Sequence, residues 1–199
     1  ILRNVSTFTG KIEVNNGVLE VASLGSNEGA ATGSLGQYAN EIVLNNGGMI
    51  SIKGDGKMSH PVTANEGGIE VVSGTITLSG STVKGNGTFI KAGAGQFNFS
   101  GANQIETLRI DGGKVYDEGD SHAVGKTVVF NGTKVELQHM NSTYSYSTDN
   151  ANFVVPEGKS GKLTMDGRCS YRGSLTGSGN FEVVSSFSRN FIEGDWSAF

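Results

Sequence analysis

The densest group of acidic side chains lies in one short segment, DEGDSH, at residues 117–122. Asp117, Glu118 and Asp120 offer hard oxygen donors, and a calcium ion needs several such ligands close together. Their order is not that of an EF-hand loop. A solvated acidic loop is the ordinary explanation of such a segment. We therefore predict no metal site and no cofactor, with these three residues as weak metal candidates.

Histidine and cysteine add little further chemistry. His60, His122 and His139 lie far apart in the sequence and share no metal-ligand spacing, so we expect each at the surface. The single cysteine, Cys169, excludes an internal disulfide. Two arginines in the surrounding RCSYR segment could lower the pKa of its thiol, but the sequence shows no partner for nucleophilic catalysis. We expect a packed cysteine and predict no catalytic residue.

The stretch HMNSTYSYSTDN, residues 139–150, carries a different kind of candidate. Tyr144 and Tyr146 alternate with serines, so both would face one side of an exposed strand. Aromatic rings beside hydroxyl and amide groups suit stacking against a sugar or contact with a protein. The competing interpretation is an inserted loop that packs its own tyrosines against the fold. Tyr144 and Tyr146 are the predicted binding residues.

The composition excludes several classes of function. The 199 residues carry a net charge of −4, and no run of lysine or arginine supplies the basic surface that nucleic acids require. No apolar stretch is long enough for a transmembrane helix, and no amphipathic helix is evident. We predict neither nucleic-acid binding nor membrane insertion by this segment. The chain begins Ile1-Leu2-Arg3, which is not the start of a nascent protein. We therefore interpret the chain as an excised piece of a longer protein.

The elements that position these residues are strands, because helix signals are absent and glycine is abundant. Eight of the 31 glycines open a five-residue phrase in which two apolar residues flank a polar one, the pattern of a half-buried strand. The phrases begin at Gly10, Gly17, Gly48, Gly67, Gly74, Gly95, Gly161 and Gly179. Gaps of 7 residues fit consecutive strands, and gaps of 18 to 21 residues fit a full repeat. This spacing is typical of a solenoid.

We therefore predict one all-β domain over residues 1–199, a single-stranded right-handed parallel β-helix with coils of about 20 residues. At this period the chain would form about eight or nine coils. An antiparallel β-sandwich is the alternative, because Asn-Gly pairs such as Asn46-Gly47 are also a strong hairpin signal. The pairing of short with long gaps favours the β-helix.

The segment from Ile90 to Gln104, IKAGAGQFNFSGANQ, resembles the autotransporter-associated β-strand repeat. The matching residues are Lys91, Gly93, Gly95, Phe97, Phe99, Ser100, Gly101 and Asn103. Residues 173–183 look like the start of a second copy, and the closing region is similar to β-helical surface proteins of Bacteroides-type bacteria. The aromatic ending of the repeat is missing after Asn103. The resemblance implies an exported, cell-surface or secreted β-helix and carries over no catalytic residue.

We expect a non-enzymatic exported scaffold, stalk or adhesin-like domain, extracellular or on the cell surface, with a host or bacterial surface glycan or protein as partner. Parallel β-helices also include polysaccharide lyases and glycoside hydrolases, so a carbohydrate-active enzyme is the alternative. A glycan-binding module is the third possibility. Acids or arginines stacked beside a groove would favour the enzyme, and a tyrosine-lined groove without such acids would favour the binding module.

Overall fold

The structure is a computed structural model that describes residues 1–22, 24, 33–80, 82–99, 103–118 and 124–199. These residues contain 21 strands and no helix, and all eight glycine phrases fall on strands. In chain order the strands are β1 (Ile12–Val14), β2 (Val18–Val21), β3 (Ile42–Leu44), β4 (Gly48–Lys53), β5 (Gly56–Met58), β6 (Val62–Ala64), β7 (Glu66–Ser73), β8 (Thr75–Leu78), β9 (Val83–Ala92), β10 (Gln96–Phe99), β11 (Gln104–Ile110), β12 (Lys114–Glu118), β13 (Thr127–Phe130), β14 (Thr133–Asn141), β15 (Ser147–Asp149), β16 (Asn152–Val155), β17 (Ser160–Gly167), β18 (Cys169–Tyr171), β19 (Leu175–Gly177), β20 (Asn180–Ser185) and β21 (Phe191–Ile192).

The strands form a parallel β-solenoid of about seven turns, with about 21 residues in each turn. Every pairing between these strands is parallel, so the antiparallel sandwich is wrong. Asn46 and Gly47, with φ of 51° and 81°, form a corner between β3 and β4 instead of a hairpin. The prediction of eight or nine coils was too high, because several coils are longer than 20 residues: equivalent positions are 30 residues apart at Asn15 and Asn45 and 25 residues apart at Thr127 and Asn152.

Each turn visits up to three faces in a fixed order. Face 1 contains β1, β3, β6 and the first parts of β9 and β11, and then β15, β18 and β21. Face 2 contains β2, β4, β7, the second parts of β9 and β11, and then β13, β16 and β19. Face 3 is a sheet of seven strands, β5, β8, β10, β12, β14, β17 and β20. The corner from face 3 back to face 1 is called the third corner below.

The core consists of inward-facing side chains that repeat from coil to coil. Side chains alternate between the two sides of a strand, and the parallel register places equivalent positions directly over one another. On face 3 one such column is formed by Ile76, Phe97, Val115, Leu137 and Leu163, all of them buried. The narrow interior is filled in this way without the hydrophobic mass that a compact domain needs.

The outward side of face 3 carries a column of alternating charge. By register it contains Gln96, Lys114, Glu136, Lys162 and Glu182 in successive coils. Lys114 Nζ lies 3.8 Å from Glu136 Oε1. Opposite charges on directly neighbouring strands are favourable and like charges are not, so this order supports the observed register.

One lysine lies inside the solenoid. Lys91 is fully buried at an inward position of β9, where the neighbouring coils place Ile69 and Ile110. Its ammonium group donates to the carbonyl oxygens of Gly93 at 2.9 Å and Gly112 at 2.7 Å. Burial lowers its pKa to about 8, against the opposing influence of Glu70. This side chain joins two coils at the corner between faces 2 and 3.

Trp196 packs against the coil formed by β19 to β21. Its ring contacts Phe181 with centroids 5.8 Å apart. Its indole N–H donates to the carbonyl of Gly173 at 3.1 Å. The ring therefore covers the apolar end of the core.

Candidate binding face

Of the three acidic residues of the DEGDSH segment, the structure describes Asp117 and Glu118, and it does not bring them together with other described side chains as a metal site. Asp117 is buried inside β12, where the register sets it between Phe99 and His139 of the adjacent coils. Glu118 follows it and is exposed, because adjacent residues of a strand point to opposite sides. Asp120 lies outside the described residues. No group of three or more His, Cys, Asp or Glu in the described ranges could hold a metal ion.

The expectation that the histidines lie at the surface was wrong for two of them. His60 and His139 are buried, and His122 lies outside the described residues. The reason is the strand alternation, because His139 follows the inward positions Val135 and Leu137 of β14. That alternation was available in the sequence. Burial lowers the pKa of His60.

His139 is hydrogen-bonded inside the solenoid to two residues of other strands. Its Nδ1 lies 2.8 Å from the hydroxyl of Tyr171, and its Nε2 lies 3.2 Å from Ser147 Oγ. Burial raises the pKa of Tyr171 well above its usual range, so that its phenol stays protonated. All three side chains are sealed from solvent, with exposures of at most 1%. This group links strands and does not offer a nucleophile to a substrate.

Cys169 is packed, as expected, but its pKa moves upward. The side chain is fully buried at an inward position of β18. Burial raises the pKa of the thiol to about 12, opposite to the effect suggested by the nearby arginines. Arg168 and Arg172 flank β18 and do not activate the sulfur. The thiol is therefore unreactive in the folded protein.

The two tyrosines lie in residues 142–146, the segment without strand structure that leads from β14 into β15, so the prediction that they share an exposed strand was wrong. Neither is buried against the solenoid, since Tyr144 is 92% exposed and Tyr146 is 46% exposed. The guanidinium of Arg168 lies 5.2 Å from the centre of the Tyr144 ring and 5.6 Å from that of Phe187. The Tyr146 and Phe191 rings meet with centroids 5.5 Å apart. We call Tyr144, Tyr146, Arg168, Phe187 and Phe191 the aromatic strip.

The aromatic strip could not be assembled from the sequence. β15, β18 and β21 pair in parallel, and the register places Ser170 directly beside Phe191. Because serine is small, the rings of Tyr146 and Phe191 meet across the coil between them. The strip therefore combines residues from three successive coils, and its aromatic members outside the tyrosine pair were missed.

A small concavity of about 240 Å³ opens beside the strip, and we call it the strip pocket. It is lined by Tyr146, Thr148, Ser170, Arg172, Phe191 and Glu193. Glu193 Oε2 accepts from Ser170 Oγ at 2.6 Å and from Arg172 Nε at 2.9 Å. These two bonds lower the pKa of Glu193, so its carboxylate is charged at neutral pH. The pocket thus presents rings, hydroxyls and a fixed pair of opposite charges.

A larger polar groove of about 640 Å³ lies next to the strip pocket on face 1. The groove lies on face 1 between β11 and β15. The coil between these two strands contributes no strand to face 1 from its described residues, and the groove occupies that position. Its lining includes Asn86, Asn103, Gln104, Glu106, Lys126, Thr148, Asp149, Asn150 and Asn152. Thr148 lines both concavities, so the groove and the pocket adjoin at this residue.

Two carboxylates line this polar groove. Glu106 forms an ion pair with Lys126 at 2.6 Å, and Asp149 Oδ1 accepts from the backbone N–H of Ala151 at 2.7 Å. Asp149 is buried and Glu106 is about half exposed. The stacked clusters of acids or arginines expected of a lyase are not found among the described residues lining the groove.

Comparison of the chain with protein-family models, with curated proteins and with solved structures finds no match. The likeness to the autotransporter-associated repeat therefore stays a prediction. Two of its matching residues have defined structural roles, since Lys91 binds corner carbonyls and Asn103 Oδ1 accepts from the backbone N–H of Val83 at 2.9 Å. No helix in the described part of the chain is long and apolar enough to cross a membrane.

Proposed function

We propose that this chain is a non-enzymatic β-solenoid scaffold, an adhesin-like domain displayed outside the cell. The observation that carries the proposal is the use of polar side chains between coils. Asn65 donates to Asn45 at 2.7 Å, and these residues are 20 apart. Asn131 donates to Asp111 at 2.8 Å, again 20 residues apart. In both cases a polar side chain at a corner joins one coil to its neighbour.

Such ladders suit a structural role. Each hydrogen bond between equivalent positions repeats the backbone pairing of the same two coils, so bending or shearing the rod breaks both together. About seven coils at about 4.8 Å each give a rod body on the order of 30 Å long. A surface glycan or protein is the proposed partner, and face 1 offers a concave surface with aromatic, polar and charged side chains.

The test of the non-enzymatic role is a turnover assay with the intact chain. It is incubated with neutral and uronate-containing polysaccharides, and new reducing ends and unsaturated uronates are measured over hours. We expect neither product above a heat-denatured control. Sustained release of either product would overturn the proposal.

The proposed location is tested separately on intact cells of the source organism. Brief protease treatment of whole cells should release peptides of this chain, while a cytoplasmic marker stays intact. Protection of the chain until the cells are lysed would contradict surface display.

Glycoside hydrolysis is the second candidate, and the observation that favours it is the pair of carboxylates, Glu106 and Asp149, in the polar groove. Hydrolases of this type use two carboxyl groups on either side of the scissile bond. If the turnover assay gives reducing ends, Glu106→Gln should abolish them and Glu157→Gln, at an exposed corner, should not. Equal activity in both variants would remove Glu106 from the mechanism.

A further inference from the structure

We propose that the aromatic strip and the strip pocket bind a stretch of about two pyranose units of a glycan chain that runs along face 1, parallel to the solenoid axis. The inference rests on the proposed function and specifies its partner. It depends on four observations, which are the exposure of the rings, the charge pair beside them, the width of the strip and the polar groove that adjoins the strip pocket at Thr148.

The exposed rings have little role in the core. Tyr146 and Phe191 are 46% and 48% exposed, and they contact each other at the surface. Two adjoining exposed rings leave apolar area in water, which is unfavourable unless a ligand covers it. A pyranose ring has one face of C–H groups that can cover such a platform.

The strip pocket supplies the polar half of a sugar site. Around its rim a pyranose carries hydroxyl groups, each able to donate and accept a hydrogen bond. Arg172 and Glu193 are held against each other at 2.9 Å and stand beside Phe191. Both of the hydrogen bonds to Glu193 from the described part of the chain end on Oε2, so Oε1 can accept from a sugar hydroxyl. Charged acceptors and donors of this kind form the stronger hydrogen bonds.

The dimensions favour a glycan over a protein partner. The strip crosses three coils on β15, β18 and β21, a distance of about 10 Å at the usual strand spacing. A stable protein interface buries about 800 Å² on each partner, which is far more than two rings and a pocket supply. The spacing of successive coils, about 4.8 Å, is close to the length of one pyranose unit.

The polar groove gives the glycan chain its direction. It joins the strip pocket at Thr148 and is lined by amides, including those of Asn150 and Asn152. Amide groups offer both donors and acceptors to hydroxyls. A chain stacked on Tyr146 and Phe191 therefore continues into the groove towards β11.

The test begins with a labelled intact chain on an array of neutral and uronate-containing oligosaccharides. The strongest hit is then titrated by calorimetry against Tyr146→Ala, Phe191→Ala and Arg172→Ala. The matched control is Tyr116→Ala, which removes the same kind of ring from face 3. We expect each strip variant to lose about tenfold in affinity, equivalent to about 1.4 kcal/mol. The control should bind as the unaltered chain does.

Absence of binding across the array, or unchanged affinity in both ring variants, would overturn the proposal. So would binding to a glycoprotein that survives enzymatic removal of its glycans, because the partner would then be protein. All variants should keep the far-ultraviolet circular dichroism and melting temperature of the parent, and a loss of affinity shared by Tyr116→Ala would count against a local site. If no glycan binds and no turnover is detected, the glycan site is refuted and the scaffold proposal stands. If a bound glycan is turned over, the non-enzymatic scaffold proposal is refuted and the glycan site stands.

Discussion

At the scale of single residues, Lys91 has the most unusual environment. Its ammonium group is enclosed by protein and satisfied by the carbonyls of Gly93 and Gly112. Desolvation of the charged form lowers its pKa from 10.5 to about 8. The unfolded chain therefore binds more protons than the folded chain between these two pH values, and linkage requires stability to rise with pH across that window.

We predict that the free energy of unfolding gains up to about 3 kcal/mol from Lys91 as the pH rises from 8 to 10.5. Below pH 8 this contribution is absent, because the lysine is charged in both states. Lys91→Met cannot titrate and should lack the rise, although it is less stable throughout because two carbonyls lose their donor. Urea unfolding at several pH values gives the free energy of unfolding of both proteins. Because the other titrating groups are the same in both, their contributions cancel in the difference between the two. Parallel pH profiles for the two proteins would refute the prediction.

At the scale of elements, glycines determine how closely the coils can stack at the corners. Gly93 follows β9 with a φ of +76°, and a Cβ there would lie 2.2 Å from the carbonyl oxygen of Val71. Gly17 has nearly the same φ, +74°, but a Cβ there would meet nothing within 4 Å. The two positions separate backbone strain from crowding.

We predict that Gly17→Ala costs about 1 kcal/mol, the strain of a left-handed alanine. Gly93→Ala should cost about 2–4 kcal/mol, because crowding against the neighbouring coil adds to that strain. Chemical denaturation of the two variants gives both values. Equal losses of stability in the two variants would mean that the preceding coil, which contains Val71, moves away from the new methyl group at little cost.

The alternating charges on face 3 give a second prediction at this scale. Lys162→Glu would place three carboxylates in one column, between Glu136 and Glu182. We expect it to be less stable than the neutral Lys162→Gln by about 0.5–1 kcal/mol. The gap should shrink in 1 M salt, where the screening length falls to about 3 Å. A gap that does not respond to salt would assign the effect to packing instead of charge.

The strands could be predicted because their signal is local. In a phrase such as that of Gly95, alternation within five residues identifies β10 and its inward side without knowledge of its neighbours. The same rule, applied to β14, would have placed His139 inside. The aromatic strip is different, since Tyr146 and Phe191 meet only through the register of three coils. Coil lengths vary, so the sequence alone does not fix which residues stack.

At the scale of the whole molecule, the solenoid is a one-dimensional array in which each coil contacts mainly its neighbours. Damage at one end should therefore remain near that end. Trp196 covers the apolar surface of the coil formed by β19 to β21, together with Phe181. Its removal exposes that surface and loosens the adjacent strands first.

We predict that Trp196→Ala destabilises this end by about 2–3 kcal/mol, less than a fully buried tryptophan because the ring is partly exposed. Hydrogen–deuterium exchange should then quicken in β19, β20 and β21 and stay unchanged from β3 to β11. The distant strands serve as the internal control. Uniform loss of protection along the chain would show that the protein unfolds as one cooperative unit instead.

The third corner offers equivalent surface positions at a regular spacing along the solenoid. In the last three turns that corner consists of residues 142–146, then Arg168 alone, then residues 186–190, while the strands on either side keep their register. A peptide grafted at any of these places would leave the core unaltered, because the difference in length is absorbed outside it. Successive grafts would stand about 4.8 Å apart along one straight line. The chain could thus present chosen groups at intervals set by its own backbone.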